Sequence, residues 1–582
     1  MAETKRLYVQ NVDAWEKNLS RKRFSDRKLE VKVIERGIVL PARPAKGEYE
    51  GGVCDKDFNF VAGFARTQPP KKTTGFGAWC ALQSSYTVDR KELAEFDEDV
   101  IFGGLLIGHF GHLMVECLSR LWYVVQHPEL KSKVLFVTNS DSCKPWAEVF
   151  LKLIGLEKER IVYVDKPIEC RSITVPEQSQ YSWENFTNEY MLPYQAIKSR
   201  VTPSTHKKVY LTRRFFDENR ITQKNYGQMC CFNEKYFEDF FASHGFEIFA
   251  MEKLSIEEQI SLVMGADEIA TTLGTLSHWS IFKKPTAKFI KLSRAKDFVL
   301  TATGFVMRAA NLDNCCIVDV SRDFMYADNT LGTCMLGSNK YWKEFVEDYF
   351  GEKINEDDGN SYVDAATDAY VDFWCKKYSA PKDHDKLIDG FKTLCHRIVE
   401  LETQADQDNC PLLIYQTHVS EKGWGAWEKE NLLSNPVDQQ RDIQAIKIDF
   451  SESFQETRHA LYYSRKKGWS EKNSNAQMSV ETITRDFTKP FHKIYYAVYY
   501  NEKEGWSEEV TNGQMAGTTG KSKAITGIKI RLGKAGAKEF DILYRVHKFD
   551  GEWTAWAKNG EEIITGGGIK LNSIQIRLKP KT

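Results

Sequence analysis

The sequence predicts an α/β chain followed by a β-rich repeat tail, and three observations carry that expectation. Short apolar strands alternate with helical stretches up to about residue 325, the rhythm of a mostly parallel sheet. All 13 cysteines lie at or before Cys410, so residues 411–582 are a different kind of chain. That tail holds six of the 14 tryptophans and 15 of the 37 glycines, with Gly-Trp recurring at a spacing near forty.

The strands expected in the first part are Val31–Leu40, Lys133–Thr138, Arg160–Val164, Lys208–Thr212, Phe246–Phe249, Glu268–Thr272 and Lys288–Leu292. Asp99–Ile107 is an apolar run entering a helix. Helices are expected over 145–154 and around 187–201. This leaves room for two α/β sheets, in 1–195 and 196–337. Residues 338–410 read as a mainly helical, polar spacer or arm.

In the tail, Gly423-Trp424, Gly468-Trp469, Gly505-Trp506 and Gly551-Glu-Trp553 each follow a strand and precede an alternating one. From Trp424 to Ile446 is 22 residues, as from Trp506 to Ile528, while the other two units give 25 and 21. One buried face per unit implies stacked or radial β units, an all-β repeat domain over 411–582. Each tryptophan is expected as a core residue on a turn. Trp424, Trp506 and Trp553 become sugar-stacking candidates only if an indole face is open.

Composition excludes several classes. Lys plus Arg total 80 and Asp plus Glu 81 in 582 residues, which argues against a polybasic nucleic-acid binder. No run approaches the length of a membrane span, and MAETKRLYVQNVDAWEKN lacks the apolar core of a signal peptide. The cysteines show no CxxC and no regular spacing, so free thiols in a reducing compartment are expected.

Three stretches carry candidate chemistry. In Gly108–Trp122, an ideal helix would set His109, His112, Glu116 and Arg120 within about 80° of one another. Imidazole beside carboxylate suits general base work, though one stripe does not choose between that and a metal site. Gly103 and Gly104 just before it permit close approach of a ligand to the backbone. In Val209–Arg220, Arg213 and Arg214 sit just past a strand end, where open α/β sheets bind ligands. Arginine there can grip a diphosphate with two hydrogen bonds. In Ala266–Phe282, Gly274, Thr275 and Ser277 form a small-residue turn before a helix start, suited to phosphate. It is not a Walker loop. Asp97-Glu-Asp99 has the spacing of a metal-binding pair, but a solvated charge cluster is the expectation, and no metal is required.

Together these stretches resemble glycosyltransferase family 61. His112 and Glu116 match the family's first block, with His109 where Asn is usual. Arg213, Arg220 and Asn233-Glu234 match the second. In the third, Leu273 replaces the usual His, and His278 stands near the usual Asn. The tail is similar to the clostridial hydrophobic Gly-Trp repeats, best in Gly505–Gly520. The second unit, around Trp469, is degenerate.

The resemblance implies two Rossmann-like sheets of GT-B type, a nucleotide-sugar donor (a UDP-sugar first) and inversion at the anomeric carbon. The first sheet would serve the acceptor and the second the donor. His112 or Glu116 would be the base, with His109 beside them. Arg213 and Arg220 would hold the diphosphate, and Gly274, Thr275, Ser277 and His278 the donor phosphate or sugar. The expected role is bacterial surface polysaccharide synthesis on a glycan acceptor, in the cytoplasm or at the inner face of the membrane. Peripheral membrane association and oligomers are compatible with it. The tail would bind carbohydrate or protein. The rival is a glycan-binding or adhesion protein with a degenerate transferase domain, for which Leu273 speaks. A phosphate-ester hydrolase ranks below both.

Overall fold

The computed structural model describes residues 6–21, 24–45, 48–64, 82–180, 185–225, 230–294, 301–310, 314–322, 333–355, 358–378, 388–389, 392–393, 395–396, 399–400, 413–437, 441–450, 492–534 and 536–581. They form two compact units, one of residues 1–322 and 330–356, the other of 323–329 and 357–582. Among the described residues no helix is long and apolar enough to cross a membrane.

The first unit is a mixed α/β structure with two large sheets. One has eight strands, seven of them in the order Phe60–Ala62, Glu48–Cys54, Ile38–Ala45, Ile168–Pro176, Ala94–Leu106, Val134–Thr138 and Ile161–Tyr163. The last four run parallel, and the rest are antiparallel. Val31–Glu35 joins separately beside Ile168–Pro176. The expected single strand over 31–40 is thus two. Arg36 turns the chain at a φ of 53°, and both halves pair with the same neighbour.

The other sheet has six parallel strands in the order Leu7–Tyr8, Cys315–Asp319, Lys288–Ser293, Glu268–Thr272, Lys208–Thr212 and Glu247–Ala250. The first strand of the chain lies here, so residues 1–195 contribute to both sheets. From Lys208–Thr212 the chain moves outward to Glu247–Ala250, then crosses back to Glu268–Thr272 on the opposite side. The strand order therefore reverses between Lys208–Thr212 and Glu268–Thr272. Such a reversal opens a crevice at the carboxyl ends of the two strands. The helix Lys340–Phe350 buries Trp342, Phe345 and Val346 in the aromatic core on this sheet.

Two expected helices differ in form. The stretch around 187–201 is a 3₁₀ turn, Asn188–Met191, followed by the helix Leu192–Lys198. Residues Thr275–Phe282 form a 3₁₀ helix.

The second unit contains the helix Asn360–Tyr378 and three sheets built on long antiparallel pairs. The pairs are Leu413–Val419 with Ile443–Phe450, Ile494–Tyr499 with Gly527–Leu532, and Phe540–Lys548 with Leu571–Pro580. Their inward residues share one core, including Ile446, Ile528 and Ile574 at equivalent places. A tyrosine links each pair to the one before it. Tyr415 donates to the Leu432 carbonyl and accepts from the Ile576 N–H at 3.4 Å. Tyr496 donates to Gln514 and accepts from Ile448 at 3.0 Å. Tyr544 donates to Glu561 and accepts from Ile530. The last pair thus joins the first, and three units close a ring. The fourth unit counted from sequence, around Gly468-Trp469, lies outside the described residues.

Candidate functional site

The strand Ala94–Leu106 delivers His109 to the site. Gly108 donates its N–H to Asn139 Oδ1 at 2.8 Å, and His109 takes extended backbone at the start of the helix Phe110–Val115. His109 and His112 lie with ring centroids 4.7 Å apart. His112 Nδ1 pairs with Glu116, whose side chain is 1% exposed against 16% for His112. The carboxylate is thus buried behind the imidazole. Beneath, Tyr190 donates to the Val115 carbonyl at 2.6 Å and Tyr194 to Met114 at 2.8 Å. They satisfy carbonyls that the short helix leaves without a partner.

Arg120 does not share this stripe. Its helix ends at Val115, Glu116 leaves helical geometry, and the 3₁₀ turn Cys117–Arg120 redirects the chain. The Arg120 guanidinium is buried, donating to the carbonyls of Pro176 and Gly63, and burial lowers its pKa to about 10. Gly103 and Gly104 do not admit a ligand either. A Cβ on Gly103 would collide with the Phe136 ring at 2.3 Å, and one on Gly104 would sit 3.3 Å from Arg120 Cδ. The close approach these glycines allow is that of the protein's own side chains.

The second group gathers at the crevice in the parallel sheet. Arg213 directly follows Lys208–Thr212 and is held by Asp217 through Nε at 2.8 Å and Nη2 at 3.0 Å. Its Nη1 points to Gly274, lying 3.7 Å from where a Cβ there would stand. Arg214 turns away to Glu238 and Glu218. Arg220 packs its guanidinium over the Phe216 ring, 4.0 Å from the centroid. Glu234 is buried under Arg213, accepting its N–H and the Tyr210 hydroxyl, both at 3.2 Å. Burial, then the nearby Cys231 and Asp217, push the Glu234 carboxyl well above its ordinary range.

The third group joins the first two. Gly274 follows Glu268–Thr272 with a φ of 135°, which only glycine adopts without strain. Thr275 Oγ1 lies 2.9 Å from the position of a Cβ on Gly111, so this turn touches the His109–His112 helix. Ser277 differs from expectation. Its hydroxyl is buried and donates to the Gly274 carbonyl at 2.8 Å, so it braces the turn instead of facing a ligand. His278 holds an Nδ1 shut off from water with no hydrogen-bond partner. Burial, then the charges of Lys291, His112 and His109, push its pKa down to about 3. Leu273 is wholly buried in the core.

Three residues here had no mark in the sequence. Lys291 is fully buried, its Nζ 3.2 Å from the Ser277 carbonyl and 3.1 Å from the Ser280 hydroxyl, and burial lowers its pKa to about 8. Arg294 follows the next strand, Lys288–Ser293, and donates to Cys231 Sγ at 3.2 Å. Cys231 also receives Cys334 Sγ at 3.3 Å. That hydrogen bond, opposed by burial and helped by the charges of Arg294 and Arg213, pushes the Cys231 thiol down to about 6. Knowing the strand order beforehand would have drawn attention to Arg294, since it is the first residue past a strand end. The Asp97-Glu-Asp99 segment lies away from all this, within its strand, with Arg171 beside both aspartates at 3.6 and 3.4 Å.

In the tail, the three Gly-Trp tryptophans are half-buried and share one setting. The ring of Trp424 meets His418 edge-on at 5.5 Å, Trp506 meets Tyr499 at 5.3 Å, and Trp553 meets His547 at 5.1 Å. A cation covers a face of each: Lys447 at 4.5 Å, Lys529 at 4.3 Å and Arg545 at 4.6 Å. Trp427, which carried no expectation, is 42% exposed.

An α/β unit with a histidine–carboxylate pair at one strand end and converging arginines at a strand-order reversal has the chemistry to take an anionic ligand and to transfer a proton. Residues 110–290, which hold His112, Glu116, Arg213, Arg220, Gly274, Thr275, Ser277 and His278, match the family model Glycosyltransferase 61. Residues 502–534 match the model Clostridial hydrophobic W. The first segment is thus similar to glycosyltransferases of that family, and part of the tail to a hydrophobic-W repeat. No curated protein matches the chain.

Proposed function

We propose that the chain is an inverting glycosyltransferase that moves a sugar from a nucleotide diphosphate donor, UDP first, to a glycan acceptor. The observation that carries it is the meeting of His112–Glu116 with the Gly274–Thr275 turn, because acceptor activation and donor binding must share one place. His112 is the base, deprotonating the acceptor hydroxyl, and Glu116 holds its Nδ1 and stabilises the imidazolium that forms. Arg213, with Arg220 nearby, meets the charge that develops on the leaving diphosphate. Gly274 and Thr275 line the donor side, and His278, neutral over the working pH range, presents an uncharged ring there.

The two sheets would correspond to the acceptor and donor halves of a GT-B enzyme; the expected spacer over 338–410 is shortened by the helix Lys340–Phe350, which packs on the parallel sheet, and 411–582 would be a glycan- or protein-binding module. Surface polysaccharide assembly in a bacterial cytoplasm is the setting that fits a chain of this kind.

A thermal-shift panel of nucleotides and nucleotide sugars, with and without divalent metal, tests the proposal. Stabilisation by a nucleoside diphosphate that Arg213→Ala removes supports it. No shift with any ligand would favour the rival, a glycan-binding protein, and direct a glycan array at the chain with Trp424, Trp506 or Trp553 replaced.

A further inference from the structure

Three neighbouring parallel strands, Lys208–Thr212, Glu268–Thr272 and Lys288–Ser293, present Arg213, Gly274 and Arg294 beyond their carboxyl ends. The two guanidinium groups converge on the glycine between them. Arg213 Nη1 stands 3.7 Å, and Arg294 Nη2 3.6 Å, from the point where a Gly274 side chain would begin.

Their support is unequal. Arg213 is neutralised by a bidentate carboxylate, Asp217. Arg294 is 5% exposed, its Nε has no hydrogen-bond partner, and its described contact is the sulfur of Cys231. A guanidinium carries five donors, and leaving them unfilled in a buried place is costly. Two like charges aimed at one point raise that cost further. A bridging anion removes both penalties. Gly274, at a φ of 135° and with no side chain, leaves the space for it.

We infer that Arg294 is a second anion-binding arginine of the donor site, closing with Arg213 a clamp over Gly274 that grips the donor's diphosphate. The inference rests on the donor-site proposal above. Arg213 supplies one donor from a guanidinium fixed by Asp217. Arg294 supplies Nη2 and turns on the soft support of Cys231. The clamp reads the diphosphate, not the nucleoside, so its loss should depend on how many phosphates the ligand carries.

The test is calorimetric binding of UDP, UMP, uridine and inorganic pyrophosphate to the full chain, in wild type, Arg294→Gln and Arg294→Lys. Losing hydrogen bonds to a charged group should weaken UDP and pyrophosphate by on the order of 10- to 100-fold in Arg294→Gln. UMP should weaken less and uridine not at all, and Arg294→Lys should recover part of the loss. An equal fall for uridine would mean a collapsed fold and would overturn the inference. UDP binding within about twofold of wild type in Arg294→Gln would overturn it and leave the donor site standing. Wild type that binds none of the four would bring down the donor site and the clamp together.

Discussion

The α/β unit and the tail ring handle buried polar groups in opposite ways. In the ring a buried tyrosine hydroxyl recurs in each described unit. Tyr415, Tyr496 and Tyr544 each donate to a carbonyl in their own unit and accept from the unit before. The α/β unit also buries charged or chargeable groups that occur once, among them Glu116, Glu234, Lys291, Arg294 and Cys231. A repeated neutral bond is what closure of a ring demands. An unrepeated buried charge weakens the fold unless it is paired and hydrogen-bonded. On the proposed function, the contrast separates residues that hold structure from candidates for the site.

The sharpest way to break that contrast is at His112. His112→Ala should lower sugar transfer by roughly 10²- to 10⁴-fold with nucleotide affinity little changed, and Glu116→Gln should cost less. Paired kcat and KM measurements decide it, and near-normal turnover in both variants would remove the base assignment. Next comes Arg213→Gln, whose UDP affinity should fall on the order of 10- to 100-fold by calorimetry.

His278 gives a pH signature. Its folded pKa is about 3 against an ordinary 6.5, so between these values the unfolded chain binds the extra proton. Stability should therefore rise with pH across that window and fall as pH drops through it. His278→Gln should flatten the acid side of a denaturation curve, and an unchanged curve would show that the ring is not shielded.

Smaller effects belong to the ring. Tyr496→Phe keeps the packing and loses the two hydroxyl bonds, which should lower tail stability by about 1–2 kcal/mol in urea unfolding. The least effect is expected from deleting residues 451–491. Asn512 Nδ2 donates to both Asp449 Oδ1 at 3.0 Å and the His492 carbonyl at 3.1 Å, so the two ends that the deletion joins lie close together. A chain joined from Phe450 to His492 through a short glycine linker should keep the tail's melting transition. Loss of that transition would mean that the three described units are not a complete ring.

Local pattern determined much of this protein. Short apolar runs marked four of the six strands of the parallel sheet, because a buried strand must be apolar along its length, and left Leu7–Tyr8 and Cys315–Asp319 unmarked. The i, i+4 spacing of His112 and Glu116 already paired them, since one helical turn brings such residues together whatever surrounds it. The spacing from each tryptophan to its isoleucine marked the tail units, because every unit must bury the same face.

Tertiary structure decided the rest. It joined the three described units in a ring, through hydroxyls reaching across units. It withdrew Arg120 and Ser277 from the site, one by the end of a helix and one by a bond to the Gly274 carbonyl. It brought Arg294 and Cys231 together, although they stand 63 positions apart in the chain. No local period encodes which strands lie side by side. That order follows from how the whole chain buries its apolar surface, and the charged crevice at the strand ends exists only once it is set.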